Sequence, residues 1–397
     1  MKHVRTVNDL QASDLSGKRV LLRADLNVPM DTNGVITDDS RIVAILPTIS
    51  YLLDHGASVI VVSHLGRPKG QVTDRLRLTP VALDLSEKLN RPVIKTDDCV
   101  GSEVEAVCSQ LKAGDVVLLE NVRFYKEEEA NDPSFSKKLA RLADIYVNDA
   151  FGTAHRAHAS TAGVASYLPA YAGFLIQKEV EHLESVLLNP DHPFVAIIGG
   201  SKVSSNIGIL SHLIGKVDTL LIGGGMMFTF YKAMGYETGR SLVESDCVGL
   251  AKDLLEKART TSTTIVIPSD VVVADACQAG VATLTVPATQ IPRDKMGLDI
   301  GPDTVAAFSR EIAKAKTILW NGPLGVFEID AFSHGTMAIA KAVADASAKS
   351  VIGGGDSAAA IQKAGLASYI SHISTGGGAS LEFLEGKTLP GIAILKD

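Results

Sequence analysis

The sequence predicts an α/β protein of two domains, each a parallel β-sheet covered by helices on both faces. Short apolar runs rich in Val, Ile and Leu alternate with helical patterns along the chain, and this βαβα alternation is typical of parallel sheets. At 397 residues the chain is too long for one ordinary core. Composition also changes near residue 170, because 11 of the 15 arginines precede it and 26 of the 35 glycines follow it.

The elements follow from local patterns in chain order. Residues 41–54 and about 80–89 have helical spacing, and Thr79 fits an N-cap followed by Pro80 at the first helical position. Phe174 to Leu188 carries apolar residues at helical spacing with acidic residues between them, which predicts a helix joining the two domains. Strands are predicted in the short apolar runs at 19–23, 58–62, 116–119, 145–148, 195–198, 219–222, 264–267, 317–320 and 350–352.

Bulk composition excludes several classes of protein. With 46% hydrophobic and 21% charged residues, disorder is excluded, and a net charge of −7 argues against a nucleic-acid partner. Four scattered cysteines without a CxxC pair favour reduced thiols. The first ten residues lack the apolar core of a signal peptide, and the most apolar segment, 220–231, is interrupted by three glycines and is too short for a membrane span. We therefore expect a cytoplasmic protein without a membrane partner.

Basic and polar residues of the first half stand where predicted strands end. They lie in segments 23–29, 63–68, 120–124 and 152–158, and Arg41 begins the helix after the first strand. Because the carboxyl ends of parallel strands share one edge of a sheet, we expect several guanidinium groups to converge on one cleft. A guanidinium grips a carboxylate or phosphate in two places, which suits a small polyanion, although any single arginine could equally be a surface or salt-bridge residue. The histidines of these segments match no zinc spacing and are expected to bond an anion or to pack.

Glycines recur at the strand ends of the second half, in segments 199–202, 223–225, 321–328, 353–356 and 375–378. Between Ser350 and Ile361 an apolar run passes through three glycines and Asp356 into an alanine-rich helical stretch. Glycines allow backbone N–H groups to approach an anion, the helix start adds its positive dipole end, and Asp356 would face a divalent cation. The alternative is that such a glycine triplet is only a tight turn.

The glycine segments match neither GxxxxGK[ST] nor GxGxxG, which argues against a P-loop enzyme and a dinucleotide site. Lys202 follows two glycines and could reach a transferring phosphoryl group. Glu328 could accept hydrogen bonds from ribose hydroxyls, and Asn321 could line the same pocket. No Ser-His-Asp arrangement and no general base stands out, and a carboxylate nucleophile would need none.

These motifs, in this order, resemble those of the phosphoglycerate kinase family over essentially the whole chain. The resemblance implies two doubly wound, Rossmann-like domains with a cleft between them. Residues 1–172 would bind the acid substrate, 173–383 would bind the nucleotide and begin with the helix 174–188, and a tail from about 384 to 397 would return to the first domain. It also implies reversible, Mg²⁺-dependent phosphoryl transfer between 1,3-bisphosphoglycerate and ADP after hinge closure, by a cytoplasmic monomer of glycolysis and gluconeogenesis. The matching segments are 23–29, 64–68, 120–124, 152–158, 199–203, 320–328, 353–356 and 374–378.

Carried over position by position, the resemblance assigns roles to individual residues. The 3-phosphoglycerate site would consist of Asp25, Leu26, Asn27, Arg41, His64, Leu65, Gly66, Arg67, Arg123 and Arg156. The nucleotide site would consist of Lys202, Gly223, Gly224, Asn321, Glu328, Gly353, Gly354, Gly355, Asp356 and Ser357, with magnesium on Asp356. Arg41, Lys202, Gly354 and Gly377 would be catalytic, the two cations by neutralising charge in transit and the two glycines through their N–H groups.

One position departs from the family pattern. The family usually has Gly-Gly-x-Lys and, after three further residues, a second lysine that helps to hold the nucleotide phosphates; here that position is Asn206. We expect a working enzyme with some compensation for the missing charge. A binding protein that has lost catalysis is the alternative that Asn206 favours, and an NAD-linked dehydrogenase is disfavoured by the missing GxGxxG motif.

Overall fold

A computed structural model describes residues 4–396, which form two compact units. Unit 1 contains residues 4–180 and 388–396, and unit 2 contains residues 181–387. The boundary lies between Val180 and Glu181, inside the helix that was expected to open the second domain, and the C-terminal segment of unit 1 begins at Thr388. Among the described residues, no helix is both long and apolar enough to cross a membrane.

Unit 1 is built on one six-stranded parallel sheet. Its strands are β1 (Arg19–Ala24), β2 (Ser58–Val62), β3 (Val93–Lys95), β4 (Val116–Leu118), β5 (Ile145–Asp149) and β6 (Ala170–Ala172). They lie in the order β3-β4-β2-β1-β5-β6, and every pairing is parallel. The helices are α1 (Ala12–Leu15), α2 (Ser40–Asp54), α3 (Thr79–Leu89), α4 (Ser102–Ser109), α5 (Lys126–Glu129), α6 (Pro133–Ala140) and the C-terminal α15 (Pro390–Ala393).

Apolar residues are buried on both faces of the sheet in unit 1. On one face, Leu22 and Val61 pack in a cluster with Ile45 of α2. On the opposite face Leu21 and Ile60 are also fully buried, so the strands read as continuous apolar runs rather than as alternating ones. The sheet order reverses at β1, which lies between β2 and β5, and such a switch point is where open α/β sheets bind ligands.

Unit 2 contains a second six-stranded parallel sheet. Its strands are β7 (Phe194–Ile198), β8 (Thr219–Ile222), β9 (Thr264–Val266), β13 (Thr317–Asn321), β14 (Lys349–Gly353) and β15 (His372–Ile373). They lie in the order β15-β14-β13-β7-β8-β9, and every pairing is parallel. Here the order reverses between β7 and β13. Helix α7 (Phe174–Leu187) crosses the boundary between the units. The remaining helices are α8 (Val203–Leu213), α9 (Met227–Ala233), α10 (Val248–Arg259), α11 (Pro302–Ile312), α12 (His334–Asp345), α13 (Gly355–Lys363) and α14 (Gly378–Leu384).

The structure differs from the expected elements in three places. A separate antiparallel sheet, β11-β10-β12, is formed by β10 (Asp270–Ala274), β11 (Thr283–Pro287) and β12 (Met296–Ile300), where only parallel strands were expected. The loop 275–282 between β10 and β11 is too short to hold a crossover helix, so these two neighbouring strands run antiparallel. The short strands β3, β6 and β15 were not expected either. Helix α3 begins at Thr79 with Leu78 as its N-cap, one residue earlier than expected, and the Leu78 N–H donates to Glu120 Oε1 at 3.0 Å.

Candidate active site

The arginine segments converge on one cavity of about 240 Å³ in unit 1. Asp25 and Asn27 follow β1, His64 to Arg67 follow β2, Arg123 follows β4, and residues 152–156 follow β5, so the carboxyl ends of four strands supply the walls. Their convergence follows from the parallel sheet, which places these strand ends at one edge. The cavity is lined by Asp25, Asn27, Arg41, His64, Gly66, Arg67, Arg123, Gly152, Thr153, His155 and Arg156.

Two of the predicted substrate residues do not join this cavity. The side chains of Leu26 and Leu65 are buried in the apolar core of unit 1. Their backbone N–H groups are also taken, since Leu26 donates to Ser63 Oγ at 2.9 Å and Leu65 donates to Asn121 Oδ1 at 3.2 Å. These two residues therefore hold the strand-end loops in place.

Hydrogen bonds between strand-end loops order the cavity wall. Asn27 Oδ1 accepts from the Gly66 N–H at 2.8 Å, and Arg123 Nη1 donates to the Gly66 carbonyl at 2.9 Å. Both backbone polar groups of Gly66, in the loop after β2, are therefore bound by side chains of other loops. Arg41 is paired with Asp25, whose side chain is 12% exposed. Burial lowers the pKa of Arg123, but a guanidinium remains charged at any physiological pH. The cavity therefore presents several fixed positive charges.

His64 is a neutral member of the site. Its Nδ1 lies 3.1 Å from Arg23 Nη2, and its side chain is buried. Burial lowers the pKa of His64 well below 6.5, and the nearby guanidinium groups of Arg23, Arg123 and Arg41 lower it further. The imidazole therefore offers hydrogen bonds, and the positive charge of the cavity comes from arginine.

Three residues of this region had no role assigned from the sequence. Gly152 and Thr153 line the cavity beside His155, which was expected to bond an anion or to pack, and the signal for them was present because they belong to the polar segment that follows β5. The third is Arg23, which ends the first predicted strand. It is fully buried behind His64, and the pattern of a strand end does not reveal which way such a side chain turns.

The glycine segments surround a second cavity, of about 380 Å³, in unit 2. Three of the predicted nucleotide residues line it, namely Gly224, Glu328 and Asp356. An apolar wall that sequence reasoning missed is formed by Met227, Phe228, Leu242, Leu298, Leu324 and Val326, and such residues carry no signal in a sequence because they read as ordinary core.

The other predicted residues of unit 2 build the loops around this cavity. Gly199 lies so close to the neighbouring loop that a Cβ atom there would be 2.2 Å from the Pro323 carbonyl oxygen, so only glycine fits. The buried Ser357 hydroxyl accepts from the Gly322 N–H at 2.6 Å, and the side-chain oxygen of Asn321 lies against Gly354. Gly223 donates its N–H to Ile198 at 3.0 Å, and Gly353 ends β14.

The expected phosphate seat has the predicted strand–loop–helix form. Gly354 has a φ of +82°, which favours glycine, and it is the N-cap of α13. Gly355 and Asp356 occupy the first turn of α13 and are exposed. Gly377 is the N-cap of α14, and the exposed Lys202 is the N-cap of α8, one residue after the cavity-lining Ser201.

Asp356 fits a magnesium ion only together with a nucleotide. Between residues 4 and 396, no group of three or more His, Cys, Asp or Glu side chains is arranged to hold a metal. Magnesium is usually bound by one or two carboxylates together with substrate phosphates and water. A single exposed carboxylate in the first turn of a helix that follows a glycine loop matches that set of ligands.

Asn206 faces inward. It is 7% exposed, and its amide nitrogen donates to the carbonyl oxygens of Lys202 at 3.0 Å and Gly199 at 3.3 Å. Its amide oxygen accepts from Asn321 Nδ2 at 3.4 Å. Asn206 thus joins the loop that follows β7 to the last residue of β13.

An arginine-lined cavity and a glycine-lined cavity at the switch points of two parallel sheets are features of an α/β protein that binds small anionic ligands. The family model described as phosphoglycerate kinase matches residues 8–387. The chain is 58% identical over 394 residues to a phosphoglycerate kinase of Dictyoglomus turgidum, and 58% identical over 397 residues to a cytosolic one of Nicotiana tabacum; both alignments cover 99% of each chain.

Solved structures agree with these sequence matches. The structure of phosphoglycerate kinase from Coxiella burnetii has a TM-score of 0.92 and 46% identity, and covers 99% of both chains. The enzyme from Pyrococcus horikoshii has a TM-score of 0.83 and 35% identity, and covers 98% of both chains. The chain belongs to the phosphoglycerate kinase family, and it is a phosphotransferase with a carboxyl group as acceptor.

Proposed function

We propose that the protein catalyses the reversible, Mg²⁺-dependent transfer of a phosphoryl group between 1,3-bisphosphoglycerate and ADP, which gives 3-phosphoglycerate and ATP. The observation that carries the proposal is the convergence of Arg41, Arg67, Arg123 and Arg156 on one small cavity. A substrate with a phosphate at one end and a carboxylate at the other needs several cations within a short distance, and guanidinium groups bind both groups in two places.

The acid substrate would bind in the cavity of unit 1. Arg67, Arg123 and Arg156 would bind its anionic groups, and His64 would donate a hydrogen bond. Asp25 and Asn27 would bind its hydroxyl, because the Asp25 carboxylate can accept a further hydrogen bond beside the one from Arg41. Arg41, which is paired with Asp25, would neutralise negative charge during transfer.

The nucleotide would bind in the cavity of unit 2. Glu328 would accept hydrogen bonds from the ribose, and the apolar wall suits the base. Backbone N–H groups at the starts of α13 and α14, near Gly354 and Gly377, would bind phosphate oxygens. Asp356 would hold magnesium, which when bound neutralises phosphate charge.

The chemistry needs positioning more than it needs acid or base groups. The nucleophile is a carboxylate already ionised at pH 7, so Lys202 and Arg41 would act by balancing charge on the transferring group. Direct in-line transfer requires the two substrates to meet, and we therefore expect a hinge closure that expels water. We further propose a monomer that works in the cytoplasm.

The test is consumption of ATP in the presence of 3-phosphoglycerate and magnesium. Turnover should require both, and Lys202→Ala should remove most of it because the ammonium that balances the negative charge of the transferring group is lost. Absence of turnover in the parent protein would refute the proposal.

A binding protein without catalysis is the second candidate, and Asn206 is the observation that favours it, because the family usually has lysine there. The presence of Arg41, Lys202 and Asp356 favours the enzyme. Binding of 3-phosphoglycerate and MgATP without turnover would decide for the second candidate.

A further inference from the structure

A chain of buried polar side chains runs from helix α5 to the cavity of unit 1. Glu128, in α5, is fully buried, and its Oε1 lies 2.6 Å from Ser160 Oγ. Ser160 Oγ lies 2.8 Å from Arg23 Nε, and Arg23 Nη2 lies 3.1 Å from His64 Nδ1. Glu128, Ser160 and Arg23 are each completely shielded from solvent, and only His64, at the end of the chain, lines the cavity.

The direction of every hydrogen bond in this chain is determined by chemistry. A guanidinium can only donate, so Ser160 Oγ accepts from Arg23 and must direct its own hydrogen to Glu128 Oε1. Glu128 Oε2 accepts from the Ser160 N–H at 2.9 Å, so both carboxylate oxygens act as acceptors. At the other end, His64 Nδ1 accepts from Arg23, which leaves the proton of the neutral ring on Nε2.

The charges in this chain require each other. Arg23 and Glu128 are both inside the protein, and a buried charge is tolerated only when it is paired and hydrogen-bonded. Ser160 bridges the two charges, and Arg23 Nη1 also donates to the Ala24 carbonyl. The Glu128 carbonyl in turn accepts from the Ala159 N–H at 2.9 Å, which fixes α5 against the segment that carries Ser160.

We propose that Glu128 and Ser160 are positioning residues of the acid-substrate site, which act through Arg23 to hold His64 as the neutral Nε2–H tautomer. Neither residue touches the cavity. Their effect is that His64 presents one N–H donor to the cavity, with a fixed ring orientation and without a charge of its own. This role rests on the proposed function, since it assumes that the cavity binds an anionic acid.

The tautomer can be measured without any turnover. We would label the ten histidines of the full-length protein with ¹⁵N, assign His64 by its loss in His64→Gln, and record long-range ¹H–¹⁵N spectra near pH 7. The expected result is an unprotonated, hydrogen-bonded Nδ1 and a protonated Nε2 in the parent protein. A protonated Nδ1, or a doubly protonated ring, would overturn the proposal, whether or not any variant folds.

Ser160→Ala tests the chain itself. It should alter the Nδ1 shift of His64 and raise the KM for 3-phosphoglycerate by about tenfold, the usual effect of losing a hydrogen bond to a charged group, while the KM for ATP stays unchanged. Ser160→Thr keeps the hydroxyl and should restore both values. The matched control is Ser136→Ala, which removes another fully buried hydroxyl of unit 1. This hydroxyl donates to the Asp132 carbonyl and takes no part in the hydrogen bonds that link Glu128 to His64.

The outcomes separate this proposal from the proposed function. If Ser160→Ala folds and matches Ser136→Ala in both the His64 spectrum and the KM for 3-phosphoglycerate, the positioning role is refuted and the proposed function is unaffected. If the parent shows the predicted tautomer but no turnover, the proposed function is refuted and the assignment of His64 is supported.

Discussion

Replacing Asn206 by lysine introduces the residue that the family resemblance leads us to expect there, yet we predict that the replacement destabilises unit 2. The Asn206 side chain is 7% exposed and donates to two carbonyl oxygens, at 3.0 and 3.3 Å. It also accepts from Asn321, which a lysine cannot do because an ammonium has no acceptor. The longer side chain must leave this position to reach water.

The magnitude follows from the bonds lost. Three hydrogen bonds at about 1 kcal/mol each give a loss of about 3 kcal/mol in the free energy of unfolding. With a urea m-value of about 2 to 3 kcal/mol/M, the unfolding midpoint should fall by roughly 1 to 1.5 M. A lysine that reaches water is screened by solvent and contributes at most about 1 kcal/mol to the attraction of the phosphates, so turnover should rise by no more than about tenfold.

Tryptophan fluorescence provides the assay. The single tryptophan, Trp320, is fully buried in β13, so its emission during urea unfolding reports on unit 2. The control is Ser205→Ala, which removes an exposed hydroxyl that donates to the same Lys202 carbonyl, and which should change stability by less than about 0.5 kcal/mol. An Asn206→Lys variant that is as stable as the parent and faster by orders of magnitude would refute the reasoning.

Two further predictions concern unit 2. Burial raises the pKa of the Asp299 carboxyl from 3.8, its value in an unfolded chain, to about 7 in the folded protein. The protonated carboxyl therefore stabilises the folded protein fully below pH 3.8, and this stabilisation is lost as the pH rises through 7. Relative to Asp299→Asn, the free energy of unfolding followed by Trp320 should therefore fall by about 1.4 kcal/mol per pH unit between the two values, and parallel pH profiles would contradict this. Asp356→Asn should shift the dependence of the rate on free magnesium to higher concentration and leave the KM for 3-phosphoglycerate unchanged. An unaltered magnesium curve would remove Asp356 from the metal site.

Much of the fold was predictable because its signal is local. Buried parallel strands read as apolar runs, and β1, β2 and β8 lie within a residue of their expected bounds. The convergence of Asp25, His64 and Arg123 was predictable for a related reason, since the ends of parallel strands meet at one edge whatever the intervening sequence is.

The direction in which a side chain points depends on residues far away in the sequence, so the local pattern did not predict it. Arg23 turns into the protein because Ser160 and His64, far away in the chain, supply its partners. Asn206 turns inward because the end of β13, at Asn321, approaches it. The antiparallel sheet was missed because none of β10, β11 and β12 was among the predicted strands, and β11 is mostly exposed, so it lacks the apolar run of a buried strand.

The central claim is that the arginine-lined cavity of unit 1 binds the acid substrate. Calorimetric titration of 3-phosphoglycerate into Arg67→Gln tests it most directly, because Arg67 is exposed at the cavity wall and its loss should not unfold the protein. We predict affinity weaker by about 10- to 100-fold, as expected for a lost charge-assisted bond, with ATP binding unchanged. The control Arg259→Gln, at an exposed arginine of α10 in unit 2, should bind 3-phosphoglycerate like the parent. Equal affinity of Arg67→Gln and the parent would contradict the claim.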